Sequence, residues 1–166
     1  MTNDRTRVAL VTGANRGLGL ETSRQLLAKG LHVVLTGRDE GALLRALRSQ
    51  RQHEERAMTV SMDVTDVASI KTAQQAIAQR FGSVDILVNN AAVLLYEDEA
   101  ALSIPSEAYR RTFDTNVFGI IEVCRVCLRR RWRAPVTDES STCHPAPDSS
   151  RRCPRTRRHI RCRKPP

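Results

Sequence analysis

The chain has 166 residues, a length that allows one ordinary domain with a core of useful size. Its formal net charge of +9 is concentrated at one end: residues 125–166 hold 13 Lys and Arg against 3 Asp and Glu, while residues 1–124 hold 14 against 15. The basic pI therefore belongs to the last quarter of the chain and gives no ground for a nucleic-acid-binding body.

Other residue types divide at the same place. All five cysteines lie at or after Cys124, six of the seven prolines follow it, and no glycine follows Gly119. No run approaches the ~18–20 apolar residues that a membrane span needs, and the stretch from Met1 to Arg7 has no apolar signal-peptide core. The first 123 residues lack cysteine, so no disulfide framework is indicated and a cytoplasmic setting is expected.

In chain order, Val8-Ala9-Leu10-Val11 reads as a buried strand. Leu18, Thr22, Leu26 and Leu27 then share one face of a helix that Gly30 would cap. His32-Val33-Val34-Leu35-Thr36 is a second strand, followed by a helix with Leu43, Leu44 and Leu47 on one face. Thr59-Val60-Ser61-Met62 is a third strand, and Val67, Ile70, Ile77 and Phe81 line the helix that Gly82 ends. The fourth strand, Val84-Asp85-Ile86-Leu87-Val88, has the clearest pattern, and a last helix from near Ser106 carries Tyr109, Phe113, Asn116, Val117, Ile120 and Ile121. Apolar strands alternating with single helices predict βαβ units with right-handed crossovers and a parallel sheet covered on both faces. The expected fold is α/β, a truncated Rossmann-type doubly wound sheet of about four strands over residues 1–124. Residues 125–166, rich in Arg, Pro and Cys, read as a disordered tail.

The first strand runs into Thr12-Gly13-Ala14-Asn15-Arg16-Gly17-Leu18-Gly19. Glycine suits this place three times over: for a sharp turn, for close approach of backbone to a pyrophosphate, and for tight packing of helix on strand. The helix N-terminus then offers free N–H groups and partial positive charge to phosphates. At the end of the second strand, where an NAD site carries an acid for the ribose hydroxyls, the residues are Leu35-Thr36-Gly37-Arg38, with no acid before Asp39. Arg38 and Arg16 could instead bond a 2′-phosphate, so NADP is expected over NAD.

The spacing Thr-Gly-x3-Gly-x-Gly resembles that of the classical short-chain dehydrogenases. Asp63-Val64 is similar to the family's adenine-contacting pair, and Asn89-Asn90-Ala91-Ala92 resembles its Asn-Asn-Ala-Gly, with Ala92 replacing the last glycine. Asn116-Val117-Phe118-Gly119 resembles the helix segment whose asparagine holds a catalytic water through a backbone kink. The resemblance covers residues 7 to about 123. It implies a cofactor site of Gly13, Asn15, Arg16, Gly17, Leu18, Gly19, Arg38, Asp63, Val64, Asn90 and Ala91, with Asn116 the one catalytic member present. It further implies hydride transfer between NADP(H) and a carbonyl/alcohol substrate, no bound metal, and the homo-oligomers common in the family.

The family's chemistry also needs a serine, a tyrosine and a lysine four residues after that tyrosine. A phenol of pKa near 10 serves as an acid at neutral pH only beside a cation. Here the last tyrosine is Tyr109, the only lysine after Lys71 is Lys164, and no Tyr-x3-Lys exists, so the chain as written is expected to be inactive.

A shifted reading frame accounts for this. The codons of the segment from Thr137 to Pro145 allow Gly-Arg-Ile-Val-Asn-Val-Ser-Ser, which resembles the family's fifth strand and its serine. Those of the segment from His159 to Pro166 allow Tyr-Ser-Val-Ser-Lys-Ala-Ala, which resembles its catalytic motif. The change of frame is expected near residues 119–130. The tail's arginines, with Trp132 the only aromatic among them, do not form a nucleic-acid platform. Cys124, Cys127, Cys143 and His144 lack the second properly spaced pair of a zinc site. The alternative to a damaged enzyme is a non-catalytic nucleotide-binding remnant or interaction module.

Overall fold

The computed structural model describes residues 6–94 and 103–128. The chain divides into two units, Met1–Ala134 and Pro135–Pro166. The arginine run with Trp132, the Cys143-His144 pair and both shifted-frame segments lie outside the described residues.

Four strands, β1 (Val8–Val11), β2 (His32–Gly37), β3 (Ala57–Ser61) and β4 (Ile86–Val88), form one parallel sheet in the order β3-β2-β1-β4. The helices α1 (Gly17–Ala28), α2 (Glu40–Arg48), α3 (Val67–Phe81), α4 (Ser106–Phe113) and α5 (Ile120–Cys127) complete it, with a 3₁₀ turn at Arg51–Arg56 and a π-helical turn at Asp114–Gly119. Successive side chains of a strand point to opposite faces, and both faces are covered. Ala9, Val11, Val33 and Leu35 pack with Leu27 and Leu43 of α1 and α2, while Val8, Leu10 and Val34 pack with Ile70, Ile77 and Val123 of α3 and α5. The sheet is therefore doubly wound. β1 is wholly buried at its centre, whereas β4 is half-buried.

Local chemistry sets the ends of these elements. Asp39 caps α2 by accepting from the Ala42 N–H (2.9 Å), and Asp66 caps α3 through the Ala68 N–H (2.8 Å). Gly30 and Gly82 close α1 and α3 at φ +85° and +83°, as the sequence predicts. Asp85 secures the start of β1, its Oδ2 accepting from the Val8 N–H at 2.8 Å.

Several expectations need correction. β3 begins at Ala57 and leaves Met62 beyond its end, and β4 begins at Ile86 rather than Val84. Leu18 is 80% exposed, because the first turn of α1 opens on the cleft described below and not on the core. Leu44 and Val67 are also exposed, since one buried residue per turn (Leu43 and Ala46; Ile70, Ala73 and Ile77) suffices to seat their helices. The last helix runs from Ser106 as expected but widens into a π turn at Asp114–Gly119, and Tyr109, Phe113, Val117 and Ile121 on it are exposed. α5 itself extends to Cys127, which is buried with Val123 against α3.

Burial pushes the Cys127 thiol up to about 11. At about pH 8 only about one thiol in a thousand would then be the reactive thiolate. Peptide-resolved mass spectrometry after iodoacetamide treatment is expected to find Cys127 unmodified in the native protein and alkylated once the chain is unfolded. Modification at equal rates in both states would place Cys127 outside a packed core.

Candidate functional site

The loops leaving the C-terminal ends of all four strands converge on a cleft of about 430 Å³. The strand order reverses between β1 and β4, the switch point at which open α/β sheets place their ligands. Every expected cofactor residue except Gly19 lines this cleft, together with Gly37, Asp39, Met62, Ala92, Val93 and Thr115. Gly19 lies behind the wall, buried, where α1 crosses the glycine loop.

The floor is built by Thr12, whose importance the motif spacing alone does not reveal. Its Oγ1 accepts from the N–H groups of Asn90 and Ala91, both at 2.9 Å, and donates to the Val88 carbonyl at 3.4 Å. Asn90 returns the contact: its Nδ2 donates to the Thr12 and Gly13 carbonyls, each at 3.0 Å. The loop after β4 is thus tied to the glycine loop, and the Asn90 amide nitrogen is committed to the wall that it forms. Gly13, at φ +63°, has no room for a side chain, since a methyl there would come within 2.9 Å of the Ala91 Cα.

Above this floor, α1 begins without a cap. The Arg16 side chain makes no capping bond and the first turn has no acid, so the N–H groups of that turn and its partial positive charge are available to an anion. Gly17, at φ +59°, faces open space. Arg16 and Arg38 both line the cleft and are exposed, and neither side chain has a hydrogen-bond or ion-pair partner among the described residues. The two nearby acids are engaged locally. Asp39 caps α2, and Asp63 Oδ1 accepts from the N–H and Oγ1 of Thr65 at 2.9 and 2.7 Å.

Asn116 stands on the π turn, a widened stretch of helix often found at functional positions. Both ends of its side chain are held by one residue: Oδ1 accepts from the Val93 N–H at 2.9 Å and Nδ2 donates to the Val93 carbonyl at 2.8 Å. The side chain therefore fixes the cleft-lining Val93, while the neighbouring Thr115 reaches the cleft itself. Gly119 closes the turn against Val64, where a methyl would meet Val64 Cγ2 at 3.0 Å. The adenine-pair position and the Asn116 segment are thereby brought into contact.

Residues 7–134 match the family model for short chain dehydrogenases. The chain belongs to the short-chain dehydrogenase family. It is 34% identical over 140 residues to a (+)-neomenthol dehydrogenase of Arabidopsis thaliana, covering 81% of this chain and 47% of that protein. It is 40% identical over 114 residues to a galactitol 2-dehydrogenase of Agrobacterium fabrum, covering 68% of this chain and 42% of the relative. Among solved structures, a variant of the actinorhodin polyketide ketoreductase with NADPH superposes with a TM-score of 0.70 at 35% identity, over 75% of this chain and 47% of that one. The short-chain dehydrogenase described here thus spans less than half the length of these proteins. Among its described residues, no helix is long and apolar enough to cross a membrane.

Proposed function

We propose that the chain is the nucleotide-binding half of an NADP(H)-dependent oxidoreductase acting on a carbonyl/alcohol pair. The observation that carries this reading is the pair Arg16 and Arg38, two guanidinium groups without side-chain partners among the described residues, beside an uncapped helix N-terminus and a glycine loop. The residues suit a dinucleotide: the start of α1 for the pyrophosphate, Asp63 and Val64 for the adenine, and the two guanidinium groups for a 2′-phosphate. When bound, the cofactor supplies or accepts the hydride. The chain's own residues bind and orient it, with Thr12, Asn90 and Asn116 acting as positioning residues that hold the cleft's walls.

The cytoplasmic setting and the small-molecule carbonyl or alcohol substrate belong to the same reading. So does the loss of activity in the chain as written, which has no Tyr-x3-Lys after the fourth strand. A shift of frame downstream of Cys127 accounts for that loss, because the apolar periodicity of α5 and its packing on α3 persist to that residue. The absent tyrosine and lysine also favour the second reading, a nucleotide-binding remnant without catalysis, for any cell in which the 166-residue chain is the real product.

Cofactor choice can be tested directly. The chain is expected to bind NADPH more tightly than NADH, by about tenfold for one good charge-assisted contact. Arg38→Asp should reverse the order, because it removes a cation and presents a carboxylate to the phosphate. Equal affinity of the parent chain for the two cofactors, measured by fluorescence titration, would exclude the assignment of Arg16 and Arg38.

A further inference from the structure

A second cavity, of about 340 Å³, shares no residue with the nucleotide cleft. It lies between α1 and the segment that joins α2 to β3, and its walls include Arg24, Arg48, Ser49, Gln50, Arg51 and His53. No carboxylate lines it. Glu21 is spent on Arg24, which donates to it at 2.7 and 2.8 Å, and Glu55 accepts from Arg56 at 3.1 Å. Glu54, exposed on the same 3₁₀ turn, is outside the lining. The side chains of Arg48 and Arg51 have no hydrogen-bond or ion-pair partner among the described residues. Arg48 is in the last turn of α2, where a cation complements the helix dipole. Arg51 lies beyond the helix and has no such reason to be there.

The other polar groups of the wall are fixed by local hydrogen bonds. An Arg56 Nη2 lies 2.8 Å from His53 Nδ1, and because a guanidinium can only donate, Nδ1 is the acceptor and the ring carries its hydrogen on Nε2. Gln50 is only 6% exposed, and its Nε2 donates to Ser49 Oγ at 3.1 Å, which leaves one amide hydrogen unassigned. Ser49 Oγ is itself anchored to the Ala46 carbonyl at 2.6 Å. A cavity walled by the two guanidinium groups of Arg48 and Arg51, with Arg24 already paired to Glu21, beside a histidine and a nearly buried amide and with no lining carboxylate, suits the acceptor-rich surface of a phosphate.

We propose that this cleft binds a small phosphorylated anion, independently of the nucleotide site. The test is a titration of the ¹⁵N-labelled 166-residue chain with inorganic pyrophosphate, followed residue by residue in amide spectra. This readout separates the cleft from the basic tail and the glycine loop, both of which can attract phosphate. Saturable shifts are expected at Ser49 to His53. The double variant Arg48→Ala/Arg51→Ala should weaken binding read at those amides by about tenfold, and Arg48→Lys/Arg51→Lys should retain most of it. Both arginines are exposed, so the variants should keep the parent's amide dispersion, which reports folding in the same spectra. Shifts confined to Gly13–Gly19 or to residues after Leu128, no saturation at Ser49 to His53, or unchanged affinity in the alanine variant would each overturn the proposal.

Discussion

A gene restored to a single frame beyond the codon for Cys127 is expected to yield an active carbonyl reductase, and the 166-residue chain is expected to give no turnover above background. The expectation rests on two segments of the tail that read as family motifs under the same shift, in the family's order. One supplies a strand ending in serine and the other a tyrosine with its lysine. General acid–base groups of this kind contribute about 10²–10⁴ in rate. Without them a bound cofactor and substrate lack a general acid, because the Asn116 carboxamide, held on Val93, does not ionise near neutral pH. The same restored segment would add a strand beside β4, which is half-buried here at the edge of the four-stranded sheet. Solubility should therefore rise together with activity. Resequencing is the first check and assays of both proteins with NADPH and a carbonyl panel are the second. An uninterrupted frame combined with cofactor-dependent turnover by the 166-residue chain would defeat the reading.

What could be read from sequence follows the range of the interactions involved. β1 was legible because four consecutive apolar residues have no plausible place except a sheet covered on both faces. Gly30 and Gly82 were legible because a glycine after a helical period marks a left-handed cap. The start of β3 at Ala57-Met58 was not, since neither residue is β-branched and only pairing with Val33 and Val34 of β2 makes them extended. Leu18 misled for a related reason: helical periodicity identifies a face but does not say whether protein or ligand lies opposite it. The two hydrogen bonds between Asn116 and Val93 join residues 23 apart, and those from Asn90 to Thr12 and Gly13 span 78 and 77, so motif spacing marked the residues without disclosing their partners. Cys127 was passed over because a cysteine next to an arginine run does not read as core.

Gly19→Ala is expected to damage the cleft more than any other one-methyl change in the glycine loop. Alanine is normally favoured over glycine inside a helix by about 1 kcal/mol, and Gly19 lies in the first turn of α1. Here the added methyl would lie 2.5 Å from the Gly13 carbonyl oxygen and 3.1 Å from the Ala14 Cα, both backbone atoms that cannot rotate away. It would also collide with Asn90 Nδ2, and moving that group releases the Thr12 and Gly13 carbonyls together. Overpacking of this kind costs about 1–3 kcal/mol, so it outweighs the helical gain. The larger consequence is geometric, because α1 must shift away from the loop and carry its free N–H groups out of register with a pyrophosphate. Thermal unfolding is expected to begin a few degrees lower, at about 2–8 °C per kcal/mol for domains bracketing this size, and NADPH affinity to fall by about tenfold or more. Gly41→Ala in α2, whose methyl would approach only side-chain atoms of Asp39 and Arg45, is the matched control and should leave binding unchanged. If Gly19→Ala melts and binds like the parent while Gly41→Ala does the same, the contact of α1 with the glycine loop is not what shapes the cleft.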